Sequence, residues 1–491
     1  MRDAIFHIDR GETLTLQDQI QEKLVSAILS GSLAPGSPLP STRLLATRLR
    51  VSRNTVTLAY QSLATDGYLV PRERSGFFVA EDVVTISDFT SRKKAPVCSE
   101  TLDISKWLAI TPSTQQNIEK PANWHDYPFP FIYGQSDPAL FPFHEWRECT
   151  RQAVSRKLVE AWTDDSINQD DPMFVEQIRQ RLLPRRGIDV SPDEILVTMG
   201  AQNAIYLLAN LIVGRDTRVG IEDPGYPDAR NIFSLKTDKL QTLPVDDQGV
   251  VMGDELRSCQ LVFATPSHQM PTNVTMSIER RRALLAWAAD TGSMIIEDDY
   301  EFETNYLGTP TPALKSLDST NNVIYIGSLS KSLVPGLRIG YMVGSKELIE
   351  EARALRRLMF RHPPGNNQRV AALFLALGHH NSLIGRLHRT YKTRWHTMKE
   401  SLDSHLPGWA QSSNFGGTAF WMRGPEWLDS RKLKEKALEF GVLIEPGDVF
   451  FTDQQANKNF FRLGFSSIPT ERIEPGIAKL ATAINMLQKN R

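Results

Sequence analysis

Five short apolar runs recur through the middle of the chain: Glu194-Ile-Leu-Val-Thr, Arg218-Val-Gly-Ile-Glu, Leu261-Val-Phe-Ala-Thr, Met294-Ile-Ile-Glu and Val323-Ile-Tyr-Ile-Gly. Runs that are apolar throughout, not on alternate residues, suit strands covered on both faces. Because stretches of helical periodicity separate them, the expected fold class is α/β, a mostly parallel central sheet flanked by helices. In open sheets of this kind, chemistry gathers beyond the C-terminal ends of the strands. The residues that follow each run are therefore the informative ones.

After the first run, Gly200-Ala201-Gln202-Asn203 opens an apolar helix whose N-terminal amides suit a phosphate. After the second, Glu222-Asp-Pro-Gly-Tyr226 offers an aromatic ring to stack on a flat heterocycle. After the fourth come Glu297, Asp298, Asp299 and Tyr300. A buried acid beside a pyridine nitrogen keeps that nitrogen protonated and turns the ring into an electron sink. After the fifth stands Ser328-Leu-Ser330-Lys331-Ser-Leu-Val-Pro-Gly336-Leu-Arg338-Ile-Gly340-Tyr, one lysine among hydroxyls, glycines and a trailing arginine. A lysine amine condenses with an aldehyde to form a Schiff base, and hydroxyls with a guanidinium can hold a dianionic phosphate. The make-up is that of a pyridoxal 5'-phosphate pocket. Taken singly, Gly200 also suits an ordinary strand-to-helix turn, and the three acids a solvated turn.

Residues from about 15 to 80 have a different character, three helices followed by a hairpin. Leu16, Ile20, Leu24, Ile28 and Leu29 recur at helical spacing until Gly31 and Pro35-Gly36 end the run. Pro40-Ser41-Thr-Arg43 starts a second helix expected to bury Leu45 and Leu49, and Val51-Ser52 supplies a turn and a new cap. A third helix runs from about Arg53 to Asp66. Its Val56, Ala59, Tyr60 and Leu63 form an apolar stripe, while Arg53, Asn54, Thr57 and Gln61 fall on the other side. Such a face carries groups that can reach base edges and phosphates in a major groove. Gly67-Tyr-Leu-Val and Phe77-Phe-Val, joined by Arg72-Glu-Arg74-Ser75-Gly76, read as a two-stranded wing.

A length of 491 residues exceeds what one core usually organises. The charges balance at 56 basic against 57 acidic residues, so attraction to nucleic acid has to come from a local patch. Such a patch exists: six arginines (43, 48, 50, 53, 72 and 74) face two acids, Asp66 and Glu73, between positions 43 and 74. Cys98, Cys149 and Cys259 are scattered and give neither a disulfide framework nor metal-ligand spacing, which favours a reducing cytoplasm and no metal. The N-terminal residues lack a signal-peptide core, and no run of about 18 apolar residues occurs, so no membrane association is expected. From 83 to 125 periodicity fades into polar sequence, with one short helix near Trp107, which reads as a tether. The expected organisation is 1–82 DNA-binding, 83–125 linker and 126–491 ligand-binding. The last divides into a larger part at about 165–385 and a smaller one at about 386–491.

The first region resembles the winged helix-turn-helix of the GntR family through Pro-Ser-Thr-Arg-Leu-Leu-Ala, Val-Ser-Arg-Asn-Thr-Val and Ser-Gly-Phe-Phe-Val. That resemblance implies operator contacts from Arg43, Ser52, Arg53, Asn54, Thr55 and Thr57, with Gly76 at the wing tip. The region from about 130 to 491 resembles the fold-type I aminotransferases, with a smaller C-terminal α+β subdomain. By resemblance, Lys331 carries the Schiff base, Asp298 pairs with the pyridine nitrogen, Tyr300 with the phenolic oxygen, and Tyr226 stacks on the ring. Ala201, Gln202, Ser328, Ser330 and Arg338 would hold the phosphate, and Arg462 would grip an acid group.

A winged helix joined to this fold resembles the MocR-type regulators, as do Tyr-Gly-Gln-Ser-Asp137-Pro-Ala-Leu-Phe141-Pro with Trp146, and Arg185-Arg-Gly187. The implied function is a DNA-binding transcriptional regulator, homodimeric, that senses a small amino acid or amino sulfonate by transaldimination at Lys331. Two departures qualify this. Met270 stands where aminotransferases place an asparagine to contact the phenolic oxygen, and Asp228 stands where the GABA-responsive relatives place an effector-binding arginine, leaving Arg230 as a substitute. The alternatives are an active aminotransferase with an appended DNA-binding domain, and a DNA-binding protein whose pocket senses the cofactor alone.

Overall fold

A computed structural model describes residues 8–11, 14–83, 102–308, 310–411 and 416–489. Cys98 and positions 84–101 of the expected tether lie outside the described residues, as do 1–7. Two compact units divide between Leu108 and Ala109.

In the first unit, Leu16–Leu29 (α1), Thr42–Leu49 (α2) and Arg53–Thr65 (α3) are followed by antiparallel Leu69–Arg72 (β1) and Gly76–Val79 (β2). Each helix begins at a hydroxyl that takes an orphan backbone N–H: Thr15 from Asp18, Ser41 from Leu44 and Ser52 from Thr55. Val56, Ala59, Tyr60 and Leu63 are buried against Ile20, Leu24, Ile28 and Leu45. The Tyr60 hydroxyl donates to the Pro40 carbonyl at 3.0 Å, which fixes the entry to α2. Leu49, expected in this core, is only half-buried; the smaller Ala46 takes the inward place beside Leu45. Ile104–Trp107 forms a single 3₁₀ turn with Trp107 exposed.

The second unit is built on an eight-stranded sheet. Its strands are Ile195–Thr198 (β4), Val219–Asp223 (β5), Leu240–Asp246 (β6), Gly249–Val250 (β7), Leu261–Ala264 (β8), Met294–Asp299 (β9), Val323–Ser328 (β10) and Gly340–Val343 (β11). They lie in the order β4-β11-β10-β9-β8-β5-β6-β7. β10, β9, β8, β5 and β6 run parallel, while β11 pairs antiparallel with both β4 and β10. All five apolar runs are strands of this sheet. Both faces are covered: Ile221, Phe263 and Ile296 pack on the helix Ala201–Ile212 (α4), and Val262, Ile295 and Val323 pack against Leu284 and Ala288 of the helix Ile278–Thr291.

Toward the C-terminus, Ala410–Gln411 (β12), Ala419–Arg423 (β13), Glu445–Pro446 (β15) and Phe460–Gly464 (β16) form an antiparallel sheet in the order β12-β13-β16-β15. Val442–Leu443 (β14) pairs with Phe129–Pro130 (β3). The division expected near 385 falls inside one continuous helix, His379–His405, whose inward side shares a core with both parts.

The stretch from 109 to 125, read as tether, is not slack. Gln115 Nε2 donates to the Asn231 carbonyl at 3.0 Å, Asn231 Nδ2 donates to the Gln116 carbonyl at 2.9 Å, and Arg431 donates to Gln116 Oε1 at 3.1 Å. Polar composition left open whether the segment is slack or docked, and its amides serve as docking groups.

Candidate functional site

Tyr226, Asp298, Ser328 and Ala201 sit at or just past the C-terminal ends of β5, β9, β10 and β4, so one crevice receives all four. The cavity there has a volume of about 220 Å³. It is lined by all nine residues assigned to the cofactor: Ala201, Gln202, Tyr226, Asp298, Tyr300, Ser328, Ser330, Lys331 and Arg338.

Strand alternation sorts the three consecutive acids of β9. Glu297 accepts from the Leu314 and Lys315 amides at 2.8 and 2.9 Å and lies 3.6 Å from Arg281. Asp299 pairs with Arg186 at 2.6 Å and accepts from the Tyr325 hydroxyl at 2.9 Å. Asp298, between them, points the other way, into the cavity. It is 3% exposed and its Oδ1 has no protein partner. Burial, then the charges of Asp299 and Glu222, push its carboxyl up to about 8. None of the three acids belongs to a solvated turn.

At the other end of the cavity, Gly200 caps α4 with φ of 82°. A Cβ on it would lie 2.9 Å from Arg338 Nη2, so only glycine lets the guanidinium lie against this turn, where it donates to the Met199 carbonyl at 3.0 Å. The first amides of α4, Arg338 and the hydroxyls of Ser328 and Ser330 converge here, as an anion would require.

Lys331 Nζ lies 4.0 Å from the centre of the Tyr133 ring. Desolvation lowers its ammonium to about 8, opposed by the charge of Glu301. Glu301 is itself held by the hydroxyls of Thr418 at 2.5 Å and Tyr133 at 3.2 Å. Tyr300 and Ser330 have buried hydroxyls without protein partners. Buried polar groups are rarely left unsatisfied. An acid, a phenol and a hydroxyl left open around one lysine fit the ring nitrogen, phenolic oxygen and phosphate of pyridoxal phosphate.

Arg462 lies against two residues that line this cavity, Tyr133 and Met270. It is 1% exposed; its Nε donates to Glu445 Oε2 at 2.8 Å, while its Nη2 is a buried N–H without a hydrogen-bond partner. Its Nη1 lies 3.2 Å from Met270 Sδ, and its guanidinium stacks 4.1 Å from the Tyr133 ring centre and 4.8 Å from that of Phe450. Arg230 is committed elsewhere, donating to the carbonyls of Phe451 at 3.0 Å and Val449 at 2.7 Å, so it does not replace the arginine missing at Asp228. Asp228 accepts from the Tyr226 hydroxyl at 2.9 Å.

Lys120 and Thr265 line the cavity without having been singled out in the sequence, and Tyr133, Gly134 and Pro335 line it from segments quoted there without a role. Lys120 lies in polar sequence with no periodicity, and nothing local marks it. Tyr133 is the tyrosine of the Tyr-Gly-Gln-Ser segment, which the sequence marks only through the resemblance to the MocR-type regulators.

In the first unit, Arg43, Ser52, Arg53, Asn54 and Gly76 are exposed and Thr55 and Thr57 half-buried. Arg53 Nε donates to Thr42 Oγ1 at 3.4 Å, bringing the start of α3 to that of α2, and Ser52 and Thr55 share a hydrogen bond of 2.8 Å within the cap. All six arginines of the basic patch are exposed. Among the described residues no helix is long and apolar enough to cross a membrane, and no cluster of His, Cys, Asp or Glu could hold a metal ion.

Residues 16–79 match the family model described as bacterial regulatory proteins, gntR family, and residues 132–480 match aminotransferase class I and II. The chain is 41% identical to the HTH-type transcriptional regulator TauR of Rhodobacter capsulatus over 98% of both chains. It is 30% identical to the probable rhizopine catabolism regulatory protein MocR of Rhizobium meliloti, over 98% of this chain and 96% of that one. Its second unit is similar to the crystal structure of Pyrococcus horikoshii kynurenine aminotransferase in complex with PMP. There the TM-score is 0.71 and the identity 27%, over 78% of this chain and 98% of that one.

Proposed function

The chain belongs to the MocR-type regulators of the GntR family, DNA-binding proteins fused to an aminotransferase-like domain, and from that membership we propose that it holds pyridoxal phosphate at Lys331 and senses a small amine bearing an acidic group. The observation that carries this reading is the set of open polar atoms, Asp298 Oδ1, the Tyr300 hydroxyl and Ser330 Oγ, around an amine already drawn down to about 8. Bound there, pyridoxal phosphate would supply an electrophilic aldehyde open to the amine of Lys331 or to that of an effector.

The residues divide the work. Asp298, protonated in its buried setting at neutral pH, would hold a proton at the ring nitrogen. The α4 amides with Ser328, Ser330 and Arg338 would fix the phosphate, while Tyr226 would cover the ring. Lys331, less basic than an exposed lysine, presents a larger share of free amine near neutrality and so both attacks and yields to a competing amine readily. Filling the site can move DNA binding only by the effector's differential affinity for two conformations, at about 1.4 kcal/mol per tenfold change. A homodimer would present two winged helices to a paired operator.

A footprint of the protein on its operator, with and without acidic amines, tests the reading. Indifference of both DNA binding and transcription to every such amine rejects it.

A second reading, a working aminotransferase with an appended module, is favoured by the complete set of Lys331, Asp298, Tyr226 and Arg338 in one cavity. Met270 weighs against it, since a thioether gives the phenolic oxygen no N–H. Turnover of an amino donor with a keto acid at ordinary enzymatic rates would establish this alternative.

A further inference from the structure

Resting on the reading above, we propose that Glu301 is the counter-charge that receives Lys331 when an effector displaces it from the cofactor, a positioning residue that acts through the lysine. In the sequence it is marked only as the residue after Tyr300.

Burying a carboxylate is costly unless a charge answers it. Along this stretch of chain, Glu297 lies 3.6 Å from Arg281, Asp299 2.6 Å from Arg186 and Glu303 3.2 Å from His380. Glu301 is just as enclosed, at 3% exposure, but neutral hydroxyls hold both its oxygens: Thr418 donates to Oε1 at 2.5 Å and Tyr133 to Oε2 at 3.2 Å. Among the described residues no cation stands within ion-pair distance of it. The titratable groups packed around it are Tyr133, Tyr300, Tyr306 and Tyr391, all raised by burial and so neutral.

Lys331 is the cation beside it. Its Nζ rests over the Tyr133 ring, whose hydroxyl is the one bonded to Glu301, and among the described residues no carboxylate is within ion-pair distance of it either. Lys331 and Ser330 line both the cofactor cavity and a second cavity of about 10 Å³, which Glu301, Thr418 and Tyr391 also border. That volume suits a single water, and an ammonium group is of similar size. Gly134, with φ of 76°, keeps this space open, since a Cβ there would lie 2.8 Å from Lys331 Nζ.

Amine exchange changes no oxidation state and balances in protons. A C–N bond forms between the cofactor's aldehyde carbon and the effector, and the C–N bond to Lys331 breaks. The two protons that the incoming ammonium gives up end on the Lys331 nitrogen. The lysine thus becomes a full ammonium in a place that disfavours one. Desolvation lowers it to about 8; of the charges nearby, Glu301 opposes this most, ahead of Glu445, while Lys120 and Arg462 add to it. A freed ammonium that settles in the small cavity meets Glu301 there, which stabilises the displaced lysine and holds it off the cofactor.

Two measurements on the full chain test this. In the cofactor-free protein, the pH profile for uptake of pyridoxal phosphate should move down by about one pH unit in Glu301→Gln, because losing the neighbouring negative charge makes Lys331 a weaker base. In the loaded protein, followed by visible absorbance, Glu301→Gln should raise the half-saturating concentrations of 3-aminopropanoate and propylamine by the same factor, about tenfold. An equal loss for an acid and a plain amine separates help to the departing lysine from a grip on the effector. Glu301→Asp, which keeps the charge, should recover most of both, and it carries the test should Glu301→Gln take up no cofactor. A profile that does not move, a loss confined to 3-aminopropanoate, or a Glu301→Asp protein no better than Glu301→Gln overturns the assignment while the effector reading stands. A wild type whose spectrum responds to no amine overturns both.

Discussion

Arg462 and Glu445 lie against each other behind the cofactor cavity, Nε and Nη2 each 2.8 Å from the same carboxylate oxygen, and both side chains are 1% exposed. Removing one partner of a buried pair leaves the other charge uncompensated, at a cost of about 3–5 kcal/mol. Glu445→Ala is expected to destabilise the second unit by that order and Arg462→Met by a similar amount, both visible as a lower melting temperature. An Arg462→Met protein that melts like the wild type would show that the pair contributes nothing.

Asp298 sets the sign of a pH effect in the protein without cofactor. Its carboxyl is raised from 3.8 to about 8 by burial, so the folded chain binds a proton there that the unfolded chain releases. Stability from this group is present at low pH and falls as pH climbs from 3.8 to about 8. Asp298→Asn, which cannot ionise, should gain stability relative to the wild type between about pH 5 and about pH 8 in thermal melts. It should also weaken cofactor binding by about 1.5–3 kcal/mol, the worth of a hydrogen bond to a charged group. A melting difference that is flat across that range contradicts the buried, neutral state.

Lys331 gives the opposite slope. Its ammonium is lowered from 10.5 to about 8, so the folded chain loses that proton first and stability from this group rises between about 8 and 10.5. The rate at which the cofactor-free protein takes up pyridoxal phosphate should rise with pH and level off near 8. A rate still climbing toward 10.5 would mean an ordinary, solvated lysine.

On α3, Arg53→Ala should weaken operator binding by about 1–3 kcal/mol if it reads a base, or reduce the salt dependence by about one charge if it meets a phosphate. Ser52→Ala acts differently, because Ser52 caps α3 through the Thr55 amide at 3.0 Å. It should cost about 1 kcal/mol of stability in the first unit, read by thermal melting. DNA binding unchanged by Arg53→Ala would remove α3 from the interface.

Much of this architecture is written locally. The five strands show because each is apolar on both faces, and α1 to α3 because their stripes repeat at helical spacing and begin at hydroxyl caps. The strand ends pointed to the segments that carry the nine cofactor residues, while the role of each came from the resemblance to the aminotransferases. What stayed hidden depends on distance in sequence. Lys120 lines the cavity from a stretch whose Gln115 and Gln116 bond to Asn231, more than a hundred positions later, and Arg462 meets Glu445, which sits seventeen positions earlier on a neighbouring strand. Alternation along β9 does favour Asp298 over its neighbours, but only the Arg186 and Arg281 partners show which side is which.

The most direct measurement is the visible absorbance of the purified full chain supplied with pyridoxal phosphate, followed through addition of an acidic amine, with Lys331→Ala alongside. The expected result is a coloured wild type whose spectrum and operator binding change over the same amine concentrations, and a variant that does neither. A wild type that stays colourless, or whose spectrum changes while operator binding does not, contradicts the account.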